Sequence, residues 1–99
     1  MKPQTLKQVD CPIARVANLL SDSWTILIMR QLLLKPQRFC ELERALSGIS
    51  TRTLTLKLQR LEAAKVIQRQ EANYFPTKTG EKIREILEAM DRYGKKYLS

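Results

Sequence analysis

The chain has 99 residues, 43% of them hydrophobic, a length typical of one domain with its own core. Its 18 Lys and Arg against 10 Asp and Glu give a net charge of +8, which indicates a polyanionic partner such as nucleic acid or an anionic membrane. Histidine is absent, and the two cysteines lie 29 positions apart. These residues do not suffice for a Ser-His-Asp triad, a Cys-His pair or a zinc site, so we expect no enzyme, no metal and no cofactor.

The sequence predicts a cytoplasmic protein. A membrane-spanning helix needs about 20 apolar residues in a row, and the best candidate, residues 24–34, is interrupted by Arg30 and Gln31. The basic N-terminus lacks the apolar stretch of a signal peptide. In a reducing cytoplasm we expect both cysteines to be thiols.

Residues 1–10 form a polar arm whose isolated apolar side chains are Leu6 and Val9. Pro12 favours the first position of a helix, which we predict over about 12–21. An apolar stripe follows it at helical spacing: Ile13, Val16, Ala17 and Leu20.

A second helix is predicted from Trp24 to Leu34, with Asp22 or Ser23 as its cap. It is apolar on nearly all sides, which places it at the centre of the core, and Trp24 is expected to be a core residue. Lys35-Pro36 ends it.

A helix-turn-helix is predicted over residues 40–64. A short helix spans Cys40 to Leu46 with Leu42, Ala45 and Leu46 facing inward, and Gly48 follows in a tight turn. Ser50 caps the next helix, which runs to about Ala64 and buries Leu54, Leu58 and Leu61.

A hairpin is predicted over residues 66–77, with strands Val66–Gln70 and Tyr74–Thr77; Pro76 argues that the second strand lies at an edge. A last helix over 79–98 begins at Thr79 and carries the stripe Ile83, Ile86, Leu87, Met90, Tyr93 and Tyr97. We therefore expect one domain over 1–99, mainly α with a small β-hairpin: a winged helix-turn-helix with N- and C-terminal dimerisation elements.

The positive charge is concentrated on the helix-turn-helix. Residues 35–70 hold eight basic and three acidic side chains. Such residues supply most non-specific DNA affinity, and Arg, Gln and apolar groups on an outward helix face can read base edges. The candidate DNA-binding residues are Arg38, Ser50, Thr51, Arg52, Thr53, Thr55, Leu56, Gln59 and Arg60. The alternative is a merely solvated helix face, against which the outward Leu56 counts.

The sequence resembles the HxlR family of winged-helix transcription regulators over about residues 10–97. The matching pieces are Cys11-Pro12, Trp24, Arg38-Phe39-Cys40-Glu41-Leu42, Gly48-Ile49-Ser50, the Leu54/Leu58/Leu61-Glu62 pattern, and Tyr74, Thr77 and Gly80. The resemblance implies a homodimeric DNA-binding regulator in which the fourth helix reads DNA and the last helix helps form the dimer. It also implies sensing of electrophiles or oxidants through Cys11.

This sequence departs from the family pattern at three places. The hairpin between Arg69 and Tyr74 is several residues shorter than usual, which puts its contact with the minor groove in doubt. Cys40 stands where a small polar cap is common, and Leu56 stands where a polar or charged residue is common.

Two sets of residues have competing interpretations. Either Asp10 or Cys11 is the predicted cap of the first helix. Cys11 is the redox-sensing candidate because its expected exposure favours oxidation of the thiol. The alternative is that Cys11 packs against a dimer partner. We expect Cys40 to fill a packed cap-and-core position beside Phe39 and Leu42. The candidate dimer residues are Leu6, Val9, Ile86, Met90, Tyr93 and Tyr97, although the last helix can also dock on its own subunit.

The function that the sequence predicts is a sequence-specific regulator that binds a double-stranded DNA operator as a homodimer, is modulated by thiol oxidation or electrophiles, and has no membrane partner. The alternative is a winged helix that binds proteins without specific DNA binding. Two other functions are disfavoured. A thiol enzyme needs a general base, which this sequence does not provide, and binding to an anionic membrane needs a strongly amphipathic basic helix, which it also lacks. The sequence names no small-molecule ligand.

Overall fold

A computed structural model describes residues 11–98. Leu6 and Val9, candidate dimer residues, lie outside them. The elements follow in the order α1 (Pro12–Leu19), α2 (Ser23–Leu34), β1 (Gln37–Arg38), α3 (Phe39–Ala45), α4 (Thr51–Ala63), β2 (Ile67–Gln70), β3 (Asn73–Pro76), α5 (Lys78–Glu81) and α6 (Ile83–Tyr97).

Side-chain caps fix where several of the helices begin. The Asp22 carboxylate accepts a hydrogen bond from the Thr25 amide at 2.9 Å and starts α2. The Ser50 hydroxyl accepts one from the Thr53 amide at 3.0 Å and starts α4, as the sequence predicts. Each bond satisfies an amide that has no partner within its own helix.

The predicted start of the last helix is wrong. Thr77, not Thr79, is the cap, since its hydroxyl accepts from the Gly80 amide at 3.1 Å. Thr79 instead donates to the Lys65 carbonyl at 3.1 Å. The helical segment is also divided at Lys82, so that a four-residue α5 precedes the long α6.

The core is built around α2, as its all-round apolar sequence predicts. Ile28, Met29 and Leu32 are fully buried there, and Trp24 is half-buried against them. The remaining core is drawn mainly from α3, α4, the sheet and the start of α6: Leu42, Leu46, Ile49, Leu54, Leu58, Leu61, Val66, Ile67, Tyr74 and Ile83. Ala45, predicted to face inward with Leu42 and Leu46, is exposed at the end of α3, whereas the two leucines are buried.

The hairpin is part of a three-stranded antiparallel sheet with the strand order β1-β3-β2. The prediction that Pro76 marks an edge strand is wrong, since β3 is the central strand. The two-residue β1 pairs only with Asn73 and Tyr74 and ends before it reaches Pro76. The missing N–H of the proline therefore interrupts no ladder bond on that side.

Two polar side chains fasten the end of α2 to its neighbours. The amide of the buried Gln37 donates to the Gln31 carbonyl at 2.6 Å. The guanidinium of Arg84 donates to the Leu33 carbonyl at 2.9 Å. Both bonds use carbonyls near the helix end that would otherwise lack a partner, and they join α2 to β1 and α6.

The apolar stripes of α1 and α6 are largely uncovered. Ile13 is 80% exposed, although Ala14, its neighbour, is buried. On α6, Ile83 is buried and Leu87 is half-buried, but the exposed fraction reaches 45% at Met90 and 61% at Tyr97. Within residues 11–98, contacts with the same subunit therefore cover only the beginning of the α6 stripe.

Candidate nucleic-acid interface

Helix α4 presents a stripe of three exposed side chains on the side opposite its buried leucines. Arg52, Leu56 and Gln59 succeed one another at spacings of four and three residues, which at about 100° per residue places them on one face. Leu56 is 53% exposed. Within residues 11–98, neither Arg52 nor Gln59 has a hydrogen-bond or ion-pair partner. Their polar groups are available to a ligand.

The predicted threonine and serine contacts are engaged within the protein. The Ser50 hydroxyl donates to the Thr53 hydroxyl at 2.9 Å while capping the helix. The Thr51 hydroxyl donates to the Glu43 carboxylate of α3 at 2.6 Å, and that of Thr55 donates to the Thr51 carbonyl at 2.8 Å. These side chains fix the beginning of α4 and its placement against α3.

Arg60, another predicted DNA contact, lies on the flank of α4 opposite Thr51 and Thr55. Its guanidinium donates to the Ser21 hydroxyl at 2.9 Å and to the Asn18 carbonyl. One turn earlier, the Lys57 ammonium pairs with the Asp22 carboxylate at 2.5 Å. This flank is therefore attached to the segment that connects α1 and α2.

Opposing influences set the charge of Asp22. Partial burial raises the pKa of its carboxyl group, but the hydrogen bonds from Lys57 and the Thr25 amide, together with the charge of Lys57, outweigh that influence. The net pKa is below the ordinary value of 3.8. Asp22 is consequently a stable anion at neutral pH, and its pair with Lys57 is intact there.

Two further arginines belong to the elements next to α4 in sequence: Arg38 precedes α3, and Arg69 lies in the wing, which is the β2–β3 hairpin. The Arg38 amide donates to the Glu41 carboxylate at 2.8 Å, and its side chain is exposed at the first turn of α3. Arg69 of β2 was not predicted as a site residue. Its guanidinium donates to the Tyr74 hydroxyl at 3.3 Å and lies 5.8 Å from the centre of that ring.

Arg69 was missed because its position depends on strand register. It pairs with Tyr74 across the hairpin, and together they line a cavity that reaches Thr55 and Gln59 of α4. An exposed arginine between two exposed glutamines is not by itself a signal of nucleic-acid binding. The wing has only Glu71 and Ala72 between its strands, and Glu71 has a positive φ of 58°.

A second candidate surface is an apolar groove of about 530 Å³ on another side of the molecule. It lies between α1, the first turn of α2, and α6, and it is lined by Pro12, Ile13, Val16, Ala17, Leu20, Ile26, Ile86 and Met90. Tyr93 and Tyr97 continue the exposed face along α6 with ring centres 4.9 Å apart. Four of the six candidate dimer residues thus form one uncovered strip: Ile86, Met90, Tyr93 and Tyr97.

The two cysteines differ from the predicted exposures. Cys11 occupies the N-cap of α1 without a side-chain cap bond and is partly buried. Cys40 was expected to be packed, but it is exposed, because its neighbours Phe39 and Leu42 are the residues of α3 that pack on the core. Exposure alone therefore favours Cys40, and both thiols lie at the start of a helix.

Two other classes of site are absent from the described residues. Among residues 11–98, no three His, Cys, Asp or Glu side chains gather closely enough to hold a metal ion. In the same part of the chain, no helix is both long and apolar enough to span a membrane.

Comparison with known proteins gives consistent matches. The model of the HxlR-like helix-turn-helix family matches residues 19–99. An HTH-type transcriptional regulator of Synechocystis sp. is 38% identical over 95 residues, which cover 89% of this chain and 70% of that protein.

Solved structures of similar proteins include two regulators. Quinone-bound YodB of Bacillus subtilis is 27% identical, with a TM-score of 0.83 over 88% of this chain and all of that one. The redox regulator HypR in its oxidized form is 25% identical, with a TM-score of 0.79 over 86% of this chain and 95% of that one.

Proposed function

The chain belongs to the HxlR-like helix-turn-helix family of transcriptional regulators, and on that premise we propose that it binds a specific double-stranded DNA operator as a homodimer. The observation that carries the proposal is the stripe of Arg52, Leu56 and Gln59, whose polar members have no partner within residues 11–98. A helix-turn-helix places its second helix, here α4, in the major groove.

The chemistry of the stripe suits base edges. An arginine can bond O6 and N7 of guanine, a glutamine can bond N6 and N7 of adenine, and an apolar side chain can contact the thymine methyl group. At the beginning of α4, the free backbone amides of Thr51 and Arg52 suit a phosphate. Arg38 at the start of α3 adds an exposed cation to the motif. The proposal thus assigns base readout to the stripe and backbone positioning to its surroundings.

DNA selected from a random pool by the purified protein tests this function directly. We expect a pseudo-palindromic site, and Arg52→Ala is expected to weaken binding by about 1–3 kcal/mol while relaxing the preference at one position. Arg44→Ala, which removes an exposed arginine from α3, is the matched control and should retain the preference. If Arg52→Ala weakens binding equally on all sequences, the base-reading role is wrong; if no sequence is enriched, the protein-binding alternative is favoured.

We assign the apolar groove between α1 and α6 to a second copy of this chain. Exposed apolar surface of this kind is typical of an interface, and a two-fold dimer would set two copies of α4 side by side for successive half-sites. Met90→Glu is expected to give monomers that lose specific binding. Leu34→Glu, at an exposed leucine outside the groove, should leave the dimer intact. Light scattering that finds a wild-type monomer at micromolar concentration would refute the assignment.

We also propose that thiol chemistry at Cys11 modulates DNA binding in the cytoplasm, where thiols are normally reduced. The quinone-bound and oxidized states of two similar regulators support a thiol response. Cys11 begins α1, which forms one wall of the groove. DNA affinity with and without diamide should change for wild type and Cys40→Ser but stay constant for Cys11→Ser. A response of Cys11→Ser equal to that of wild type would eliminate this role.

A further inference from the structure

One flank of α4 is attached to a segment more than thirty residues away in sequence. Arg60 donates to the Ser21 hydroxyl and the Asn18 carbonyl, and Lys57 pairs with the Asp22 carboxylate. We name this set of contacts, between Lys57 and Arg60 on α4 and residues 18–22, the latch.

The latch joins the proposed recognition helix to the proposed dimer surface. Asn18 belongs to the last turn of α1, and Val16 and Ala17, immediately before it, line the apolar groove. Asp22 is at the same time the cap of α2, the central helix of the core. Helix α4 is therefore bonded, through Arg60 and Asn18, to the helix that would contact the second subunit.

The latch differs in kind from the packing beneath α4. Its inner leucines are held by apolar contact, which is non-directional, whereas the hydrogen bonds and ion pair of the latch require particular distances and angles. The Lys57–Asp22 pair is partly shielded, with exposed side-chain fractions of 25% and 33%. Partial shielding strengthens its directional hold relative to a fully solvated pair.

We propose that Lys57 and Arg60 are positioning residues that hold α4 at a fixed angle to the dimer surface and so determine the half-site spacing that the homodimer accepts. This rests on the proposed function. In a two-fold dimer the separation and tilt of the two recognition helices must match the helical repeat of DNA, about 10–10.5 base pairs. A helix free to tilt would tolerate sites whose spacing departs from that match.

The competing role for Lys57 and Arg60 is direct contact with DNA phosphates. Removing a phosphate contact weakens binding on every sequence and makes the dependence on salt less steep. It does not change which spacing is preferred. The two roles can be separated most cleanly from the other side of the latch, where no basic residue has to be altered.

The experiment uses Ser21→Ala/Asp22→Asn, which removes the Ser21 hydroxyl and the Asp22 charge from the latch but keeps the Asn18 carbonyl and every positive charge. Asn is as good a helix cap as Asp, so the start of α2 is preserved. Affinities are measured on duplexes that carry the selected half-sites at the selected spacing and at spacings shifted by one and two base pairs. Circular dichroism establishes that the variant is folded, and the full-length chain is used throughout.

We expect wild type to lose about tenfold or more in affinity when the spacing is shifted. The double variant should bind all spacings within a few-fold of one another. Lys57→Gln/Arg60→Gln should flatten the preference in the same way. Lys35→Gln/Arg44→Gln, a control that removes two exposed charges from the same basic region, should weaken binding but retain the preferred spacing.

Two results would contradict these expectations in distinguishable ways. A wild-type protein that selects no DNA overturns the proposed function, and this inference falls with it. A wild-type protein with a preferred spacing that both Ser21→Ala/Asp22→Asn and Lys57→Gln/Arg60→Gln keep unchanged overturns the latch alone, since the Asn18 carbonyl is still present in the first variant. In that case Lys57 and Arg60 act on phosphates, and a shallower salt dependence of Lys57→Gln/Arg60→Gln would identify that role.

Discussion

Gly80 is the position where one added methyl group should do most damage. A Cβ atom there would lie 1.8 Å from the carbonyl oxygen of Val66 and 2.9 Å from its carbonyl carbon. An ordinary contact between carbon and oxygen is about 3.3 Å or longer. The Gly80→Ala variant must therefore move the start of the wing and α5 apart by about 1.5 Å, because the obstructing atoms belong to the backbone and have no other rotamer.

The expected cost follows from what this movement breaks. The Val66 carbonyl accepts a hydrogen bond from the Thr77 amide at 3.0 Å, and Thr77 in turn caps α5 through the Gly80 amide. One lost hydrogen bond costs about 1 kcal/mol, and overpacking adds about 1–3 kcal/mol. Gly80→Ala should then lower the free energy of unfolding by about 2–4 kcal/mol. For a chain of this length that corresponds to a fall in Tm of about 10–30 °C.

Gly94→Ala provides the matched control. It makes the same change within α6, where, among residues 11–98, no atom beyond the neighbouring backbone of that helix lies within 4 Å of the new methyl group. Alanine in place of glycine inside a helix stabilises by about 0.5–1 kcal/mol. Thermal and urea unfolding at one fixed protein concentration measure both variants, since association would shift the apparent stability. If Gly80→Ala melts within a few degrees of wild type, the close approach to Val66 is wrong.

Three further predictions concern acid, the core and the thiols. In the folded protein the pKa of Asp22 lies below 3.8, so its ion pair stabilises the fold above that pH, and this stability is lost as the pH falls through the folded pKa. Asp22→Asn should therefore make the free energy of unfolding less sensitive to acid. Urea unfolding that gives the same pH profile for this variant and wild type would refute this prediction. Leu54→Ala should lower the free energy of unfolding by about 2–5 kcal/mol, whereas Leu56→Ala should change it by no more than about 0.5 kcal/mol. Equal urea midpoints for the two variants would contradict the burial of Leu54. The exposed thiol of Cys40 should react with a chromogenic disulfide faster than the thiol of Cys11. Single Cys→Ser variants allow the two reaction rates to be measured separately. The reverse order of rates would contradict the placement of α3.

Local sequence patterns predicted what depends on local geometry. The period of Leu54, Leu58 and Leu61 implies one helix face, and all three are buried. Ser50 was identified as a cap because its hydroxyl only has to reach an amide three residues ahead. The central place of α2 likewise follows from its own composition.

What the sequence did not predict depends on contacts between distant residues. The two-residue β1 is too short to show a period, and it exists because it pairs with β3. Arg60 looked like an outward cation, but its partners are 39 and 42 residues away. The choice between Thr77 and Thr79 as a cap was decided by the Lys65 carbonyl, which binds both hydroxyls and so ties the helix start to the wing.

The two proposed devices of this protein meet in α1. This helix has eight residues and is about 12 Å long. Cys11 precedes its first residue, and its apolar face lines the groove. In its last turn, the Asn18 carbonyl accepts a hydrogen bond from Arg60. A helix so short moves as a rigid unit, since it has no kink and no glycine. A covalent change at Cys11 that tilts α1 would displace the dimer surface and the latch together, and through the latch it would turn α4 without touching any residue that faces DNA.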